Sequence, residues 1–299
     1  RRQRQMCIRD RYLYHLPKIQ AAKSKKKMPI SAGLRINPEC STQEGHEIYD
    51  PCGAGSRLGI TRAELDRAIA NGLDLSQIDG FHFHTLCEQN SDDLEKTLDA
   101  VEAKFGDLLY NLKWLNMGGG HHITRVDYDI AKLEECITHM QEKYDLEIYL
   151  EPGEAVALNA GYLETTVLDI VQNGDVKILI LDTSAACHMP DVLEMPYTPP
   201  LYGAQIVADI LKTQEAPKDA HFVYRLSSYT CLAGDIIGDY EFDHEINVGD
   251  RLIFMDMAIY SMVKNNTFNG MPLPSISVLK DGKLSLIKSF GYEDFKCRL

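Results

Sequence analysis

An incomplete (β/α)8 TIM-type barrel followed by a β-rich C-terminal domain is the fold class that this 299-residue sequence predicts. Three observations carry it. From Met28 onward, short strand patterns alternate with amphipathic helix patterns. Small-residue and acidic turns stand where strands should end: Met117-Gly-Gly-Gly-His121, Glu151-Pro-Gly-Glu-Ala155 and, later, Tyr229-Thr-Cys-Leu-Ala-Gly-Asp235. After about Gly161 the helical stripes thin out, and strands follow one another through turns such as Asn173-Gly174 and Asp281-Gly282.

Taken in order, Ile30 to Ile36 reads as a strand ahead of Asn37-Pro38. Thr61-Arg-Ala-Glu64 is a capping box, Leu65, Ala68 and Ile69 share a face behind it, and Asn71-Gly72 ends that helix. Gly80 to His84 is the second strand. A second helix starts near Ser91, carries Leu94, Leu98, Val101 and Phe105 at helical spacing, and is predicted to stop at Gly106. Leu112 to Asn116 leads into the three glycines. Val126, Ile130, Leu133, Ile137 and Met140 form the stripe of a third helix, and the strand Leu146 to Leu150 runs into Glu151. Four βα units are too few to close an eight-stranded barrel, which takes about 250 residues. The sequence thus divides into residues 1–11, a non-native or disordered arginine-rich tail; residues 12–160, the barrel part; and residues 161–299, the β-rich domain.

The composition, 44% hydrophobic, is that of a chain able to bury a substantial core. A net charge of −13 argues against nucleic acid or an anionic membrane as partner and is compatible with a cationic substrate. The eight cysteines show no CxxC pair or framework spacing and read as free thiols of a reducing compartment. With no apolar run of about 18 residues, a cytoplasmic protein is expected.

Consecutive glycines at 118, 119 and 120 leave backbone N–H groups open to a phosphate. Glu151 stands at the C-terminal end of a strand, where α/β barrels build their sites. His82 and His84, two apart on a strand, face one way and Phe81 and Phe83 the other, toward covering helices.

Gly33-Leu-Arg-Ile-Asn-Pro38, Ser56-Arg-Leu-Gly59, Gly80-Phe-His-Phe-His84, Gly118-Gly-Gly120, Glu151-Pro-Gly153, Thr230-Cys231 with Gly234-Asp235, and Phe268-Asn-Gly270 stand in order along the chain. Together they resemble the landmarks of the alanine-racemase-fold decarboxylases, which act on amino acids with pyridoxal phosphate. Glu151 to Ala155, Leu181-Asp-Thr-Ser184 and the segment His188 to Tyr197 are most similar to the branch that acts on carboxynorspermidine and carboxyspermidine. The resemblance covers roughly residues 16 to 299. It implies that residues 12–160 are the C-terminal part of a pyridoxal-phosphate-binding barrel, with Glu151 beside the pyridine nitrogen, where a carboxylate keeps that nitrogen protonated. It implies His84 on the cofactor ring and Arg35 near it. The phosphate is expected on Gly118, Gly119, Gly120 and Gly153, with the Tyr260 hydroxyl as a further donor. Cys231 corresponds to the thiol that returns a proton after CO₂ leaves, and the family's active sites are shared across a two-fold homodimer, in which Arg57 is a candidate partner for Asp235.

Where many of these relatives have Glu-Pro-Gly-Arg, this chain has Glu154. With Asp191, Glu194 and Asp235 it supplies carboxylates that suit the ammonium groups of a polyamine amino acid. One departure stands out: the family's covalent lysine lies upstream of the Gly-Leu-Arg-Ile-Asn-Pro strand, and Lys23, Lys25, Lys26 and Lys27 occupy a polar run with no strand before them. The chain as given is therefore expected to be an inactive fragment. Two other readings stay open. A lysine-less relative would act as a non-catalytic binding or regulatory protein; a barrel metallohydrolase would use His82 and His84 with His121, His122 and Asp182.

Overall fold

The computed structural model describes residues 31–43, 47–76, 78–208, 210–211 and 222–297. The arginine-rich segment 1–11 and Lys23, Lys25, Lys26 and Lys27 lie outside the described residues. The chain forms two compact units, one ending at Val156 and the other starting at Ala157.

The first unit is built on four short parallel strands in the order β1-β2-β3-β4: Gly33–Arg35, Gly80–His82, Trp114–Asn116 and Glu147–Tyr149. Between them run α1 (Arg62–Ala70), α2 (Ser91–Leu109) and α3 (Ile130–Tyr144), and α4 (Gly153–Ala157) follows β4. Strand, helix, strand in this repeat is the barrel pattern that the sequence predicts. Thr61 caps α1, its side chain accepting from the Glu64 N–H, and Asn71 closes it.

Two details differ from expectation. α2 runs through Gly106 to Leu109, because Gly106 is buried within the helix and packs against the Tyr144 hydroxyl of α3, where an added Cβ would come within 3.1 Å. Val126 is fully exposed and precedes α3, which begins only after the Asp129 side chain accepts from Lys132 N–H.

The register of the sheet sorts its faces. Leu34, Phe81 and Leu115 form one buried row, and Phe83 continues it toward the helices. Phe81 meets Phe105 of α2 edge-on at 6.1 Å. Arg35, His82, Asn116 and Tyr149 form the next row and point to the opposite face. On that face the single tryptophan, Trp114, lies across Gly33 and Gly80: a Cβ on either glycine would sit about 2 Å from the indole (2.1 and 2.0 Å). The indole N–H donates to Ser31 Oγ at 2.8 Å.

The second unit carries a six-stranded sheet in the order β10-β5-β6-β8-β9-β7, from β5 (Tyr162–Asn173), β6 (Val176–Leu181), β7 (Ala204–Ile206), β8 (Phe222–Ser228), β9 (Ile236–Phe242) and β10 (Arg251–Met255). Among the described residues of this sheet, β6 and β8 pair in parallel and the other neighbours antiparallel. Short helices α5 (Ala185–His188), α6 (Asp191–Glu194) and α7 (Tyr260–Val263) lie on its connections, and β11 (Ile276–Lys280) and β12 (Lys283–Lys288) form a separate hairpin through Asp281-Gly282. Its core contains Val167, Leu179, Leu181, Leu226, Tyr240 and Phe254. Arg225 on β8 meets its register partner Asp239 on β9 in a buried two-pronged pair, 2.9 and 2.8 Å. Among the described residues no helix is long and apolar enough to cross a membrane.

Because the indole leaves no room, Gly80→Ala is expected to destabilise the first unit by about 1–3 kcal/mol, the usual magnitude for overpacking. Urea unfolding of Gly80→Ala, Trp114→Ala and the double variant measures this. In the double variant the two losses should add to less than their sum, and strict additivity would count against the contact.

Candidate active site

The first site is assembled at the C-terminal ends of β2, β3 and β4. Main-chain bonds continue the ladder past the strands: Phe83 N–H to Asn116 O at 2.9 Å, Met117 N–H to Tyr149 O at 2.9 Å, and Glu151 N–H to Gly118 O at 2.7 Å. This extension brings His84, the glycines and Glu151 to one level. Asn116, 4% exposed, bridges the group: its Oδ1 accepts from Gly118 N–H at 2.8 Å, and its Nδ2 donates to Glu151 Oε1 at 2.9 Å. Asn116 escaped the sequence reading; the available signal was an amide ending a strand immediately before the glycines.

Of the glycines expected to cradle a phosphate, two have their N–H groups engaged within the protein. Gly118 N–H is taken by Asn116, and Gly119 N–H donates to His84 Nδ1 at 3.2 Å. What requires glycine here is close main-chain packing. A Cβ on Gly118 would lie 2.4 Å from Phe83 O, on Gly119 2.7 Å from Glu151 O, and on Gly120 2.0 Å from Leu86 O. Gly118 and Gly120 also adopt positive φ, +72° and +82°. Gly153 opens α4, and a Cβ there would meet nothing within 4 Å.

Accepting from Gly119 puts the proton of a neutral His84 on Nε2. His82 Nε2 is buried, has no hydrogen-bond partner, and stands 3.8 Å from Glu151 Oε2. Arg35 donates to His84 O at 3.3 Å. Burial first, and then the Arg35 charge, pushes His82 down to about 3 and His84 down to about 4, so both rings are neutral at neutral pH.

The second unit builds its own cluster around Asp235, which is 1% exposed. Its Oδ2 accepts from Ser184 Oγ at 2.6 Å, Ser228 Oγ at 2.5 Å and Thr230 Oγ1 at 2.5 Å, and its Oδ1 from Ala186 N–H at 3.2 Å. Burial pushes this carboxyl up, but the bonds from Ser184, Ser228 and Thr230 outweigh it and hold it below the usual range. Asp235 was expected on substrate or Arg57; its oxygens instead knot β6, β8 and β9 together and fix the loop that presents Cys231. That thiol is exposed, and Cys231 N–H donates to Asn269 Oδ1 at 3.1 Å.

Asp191, also expected on substrate, pairs with Lys264, which reaches Glu194 Oε2 at 3.3 Å and lies 5.2 Å from the Tyr260 ring centre. Tyr260 is half exposed at the start of α7. Asp182, needed by the metallohydrolase reading, accepts at its Oδ1 from Thr165 Oγ1 at 2.6 Å and from Thr166 N–H at 2.8 Å. Glu154 lies with Glu88 and His122 rather than with Glu151: the candidate ligand atoms group as His82, His84 and Glu151, and as Glu88, His122 and Glu154, each set within 4.8 Å.

Residues 12–258 match the family model of the pyridoxal-dependent decarboxylases, C-terminal sheet domain. The chain belongs to this family. It is 43% identical over 270 residues to the carboxynorspermidine/carboxyspermidine decarboxylase of Campylobacter jejuni, covering 90% of this chain and 69% of that protein. It is also 43% identical over 278 residues to the carboxyaminopropylagmatine decarboxylase of Synechocystis, covering 92% and 68%. The crystal structure of the Campylobacter jejuni carboxynorspermidine decarboxylase complexed with norspermidine superposes with a TM-score of 0.83 at 40% identity, covering 96% of this chain and 73% of that one. The chain is thus a pyridoxal-phosphate-dependent lyase by family, and the metallohydrolase reading falls. The residues fit the cofactor. Glu151 retains Oε2 for a pyridine nitrogen after Asn116 has taken Oε1, and Gly119 pins the flat ring of His84.

Neutral buried histidines make stability depend on pH. The unfolded chain takes up protons near 6.5, the folded one only near 3 and 4, so below 6.5 the unfolded state binds more protons and stability is lost as pH falls. Urea midpoints should therefore drop between about pH 6.5 and pH 4. The drop should shrink in His82→Gln; an undiminished slope in that variant would remove His82 from the account.

Proposed function

We propose that this chain serves in the decarboxylation of carboxynorspermidine and carboxyspermidine in polyamine biosynthesis, a reaction that in the family also requires a covalent lysine. The observation that carries this reading is 43% identity over 90% of the chain to an enzyme of that name, joined to a strand-end carboxylate held by Asn116. When bound, the cofactor accepts the electron pair that the departing CO₂ leaves behind. Glu151 holds a proton on its ring nitrogen, which makes that acceptance favourable, and Asn116 fixes the carboxylate for this one task. His84, pinned through Nδ1, orients the ring. Cys231 returns the proton at the carbon that lost CO₂, and the active enzyme is a homodimer. Asp191 and Glu194, formally one charge in excess of Lys264, attract the substrate's ammonium groups.

Equal identity to the Synechocystis enzyme favours a second reading, in which the substrate is carboxyaminopropylagmatine. Protein expressed from the gene's own start codon, assayed for CO₂ release with all three compounds and pyridoxal phosphate, decides between them; turnover of none of them would refute both.

Cys231→Ala should lower kcat by roughly 10²- to 10⁴-fold, the range for a positioned proton transfer, with cofactor absorbance unchanged. Glu151→Gln should slow the decarboxylation step itself and alter the absorbance of the bound cofactor. Asp191→Asn should raise KM more than it lowers kcat, because a carboxylate that only binds the tail acts alike on ground and transition states. Steady-state kinetics of the three variants measures this; an unchanged kcat/KM in Cys231→Ala would remove it as the acid.

A further inference from the structure

His122 has no part in the decarboxylation described above, yet it is buried, 7% exposed, and neither ring nitrogen has a hydrogen-bond partner. Buried imidazoles are ordinarily satisfied, so an unpartnered one calls for a ligand. It is aimed at two carboxylates. Single ligand atoms of Glu88, His122 and Glu154 lie within 4.8 Å of one another.

The backbone around the cluster is braced. His122 N–H donates to Gln89 O at 3.4 Å, Arg125 donates to Glu88 O at 3.2 Å, and Thr124 Oγ1 donates to Ala155 O at 2.5 Å, which ties the histidine loop to the helix carrying Glu154. Two carboxylate oxygens and one imidazole nitrogen form a donor set for zinc or a similar first-row ion, with room for a water as fourth ligand. In such a tetrahedron, with bonds of about 2.0–2.1 Å, ligand atoms stand roughly 3.3 Å apart. Glu88 is exposed, so its side chain can swing inward to close the remaining gap.

We propose that Glu88, His122 and Glu154 form a binding site for a divalent transition-metal ion, separate from the His82, His84 and Glu151 cluster. Bound there, the ion gives His122 the partner it lacks and fastens the loop after the glycines to α4. Its position on the loop after the glycines and on α4 makes its role structural, bracing the segments next to Gly120 and Gly153.

The test is titration of the metal-stripped chain with Co²⁺, read by its visible absorption and by calorimetry, with Zn²⁺ as competitor. One equivalent should bind with the absorption of a low-coordinate site and be displaced by Zn²⁺. Glu88→Gln and Glu154→Gln should each weaken binding roughly tenfold or more, whereas Glu151→Gln should leave it unchanged. Glu88→Gln alters an exposed side chain, so its fold is checked readily by circular dichroism. The proposal is overturned by absence of binding, by equal affinity in all variants, or by a loss confined to Glu151→Gln.

Discussion

The arrangement of the first site depends on one amide. Asn116 accepts from Gly118 with its oxygen and donates to Glu151 with its nitrogen, so the path of the glycine loop and the direction of the carboxylate are set by the same side chain. A buried carboxamide can do both only because it carries a donor and an acceptor in one plane. Aspartate would set two carboxylates against each other, and an aliphatic residue would leave the Gly118 N–H unmatched. The in-register parallel sheet puts Asn116 where it can reach both neighbours, because Gly80, Trp114 and Glu147 are level and the strand ends consequently are level too.

Glycine serves two purposes in this unit. Gly33 and Gly80 make a floor for the indole of Trp114, and Gly118 to Gly120 allow the ends of β2 and β4 to come within van der Waals reach of the loop. In both cases the missing Cβ is a requirement of neighbouring protein atoms. The same packing leaves a fixed carboxylate, Glu151, and a neutral imidazole, His84, at the strand ends. Neutrality has the same origin as the packing: the histidines are removed from water and lie near the Arg35 guanidinium.

The second unit uses a carboxylate where the first uses an amide. Asp235 collects three hydroxyls and a main-chain N–H, and its buried charge is tolerable only because four donors surround it. The result is a hydrogen-bonded turn that carries the exposed Cys231 thiol, the Cys231 N–H donating to Asn269 Oδ1. Sequence adjacency hides this division of labour: Cys231 and Asp235 are four residues apart, one exposed and one almost inaccessible.

By itself the sequence determined the alternation of strands and helices, the change to a β-rich second unit, the outward Phe81 and Phe83 against the opposite-facing His82 and His84, and Glu151 at a strand end. These follow from local rules, since periodicity, capping and turn chemistry act over a few residues. Only the tertiary structure decided which partners the polar groups choose. Asn116 finds Glu151 across 35 positions, Ser184 finds Asp235 across 51, and Lys264 reaches Asp191 across 73. Gly106 reads as a stop and is a packing residue, because the Tyr144 hydroxyl that fills its side comes from another helix. Hydrogen bonds and close contacts depend on three-dimensional proximity that no local pattern encodes, so residue types at the site were legible in the chain while their pairings were not.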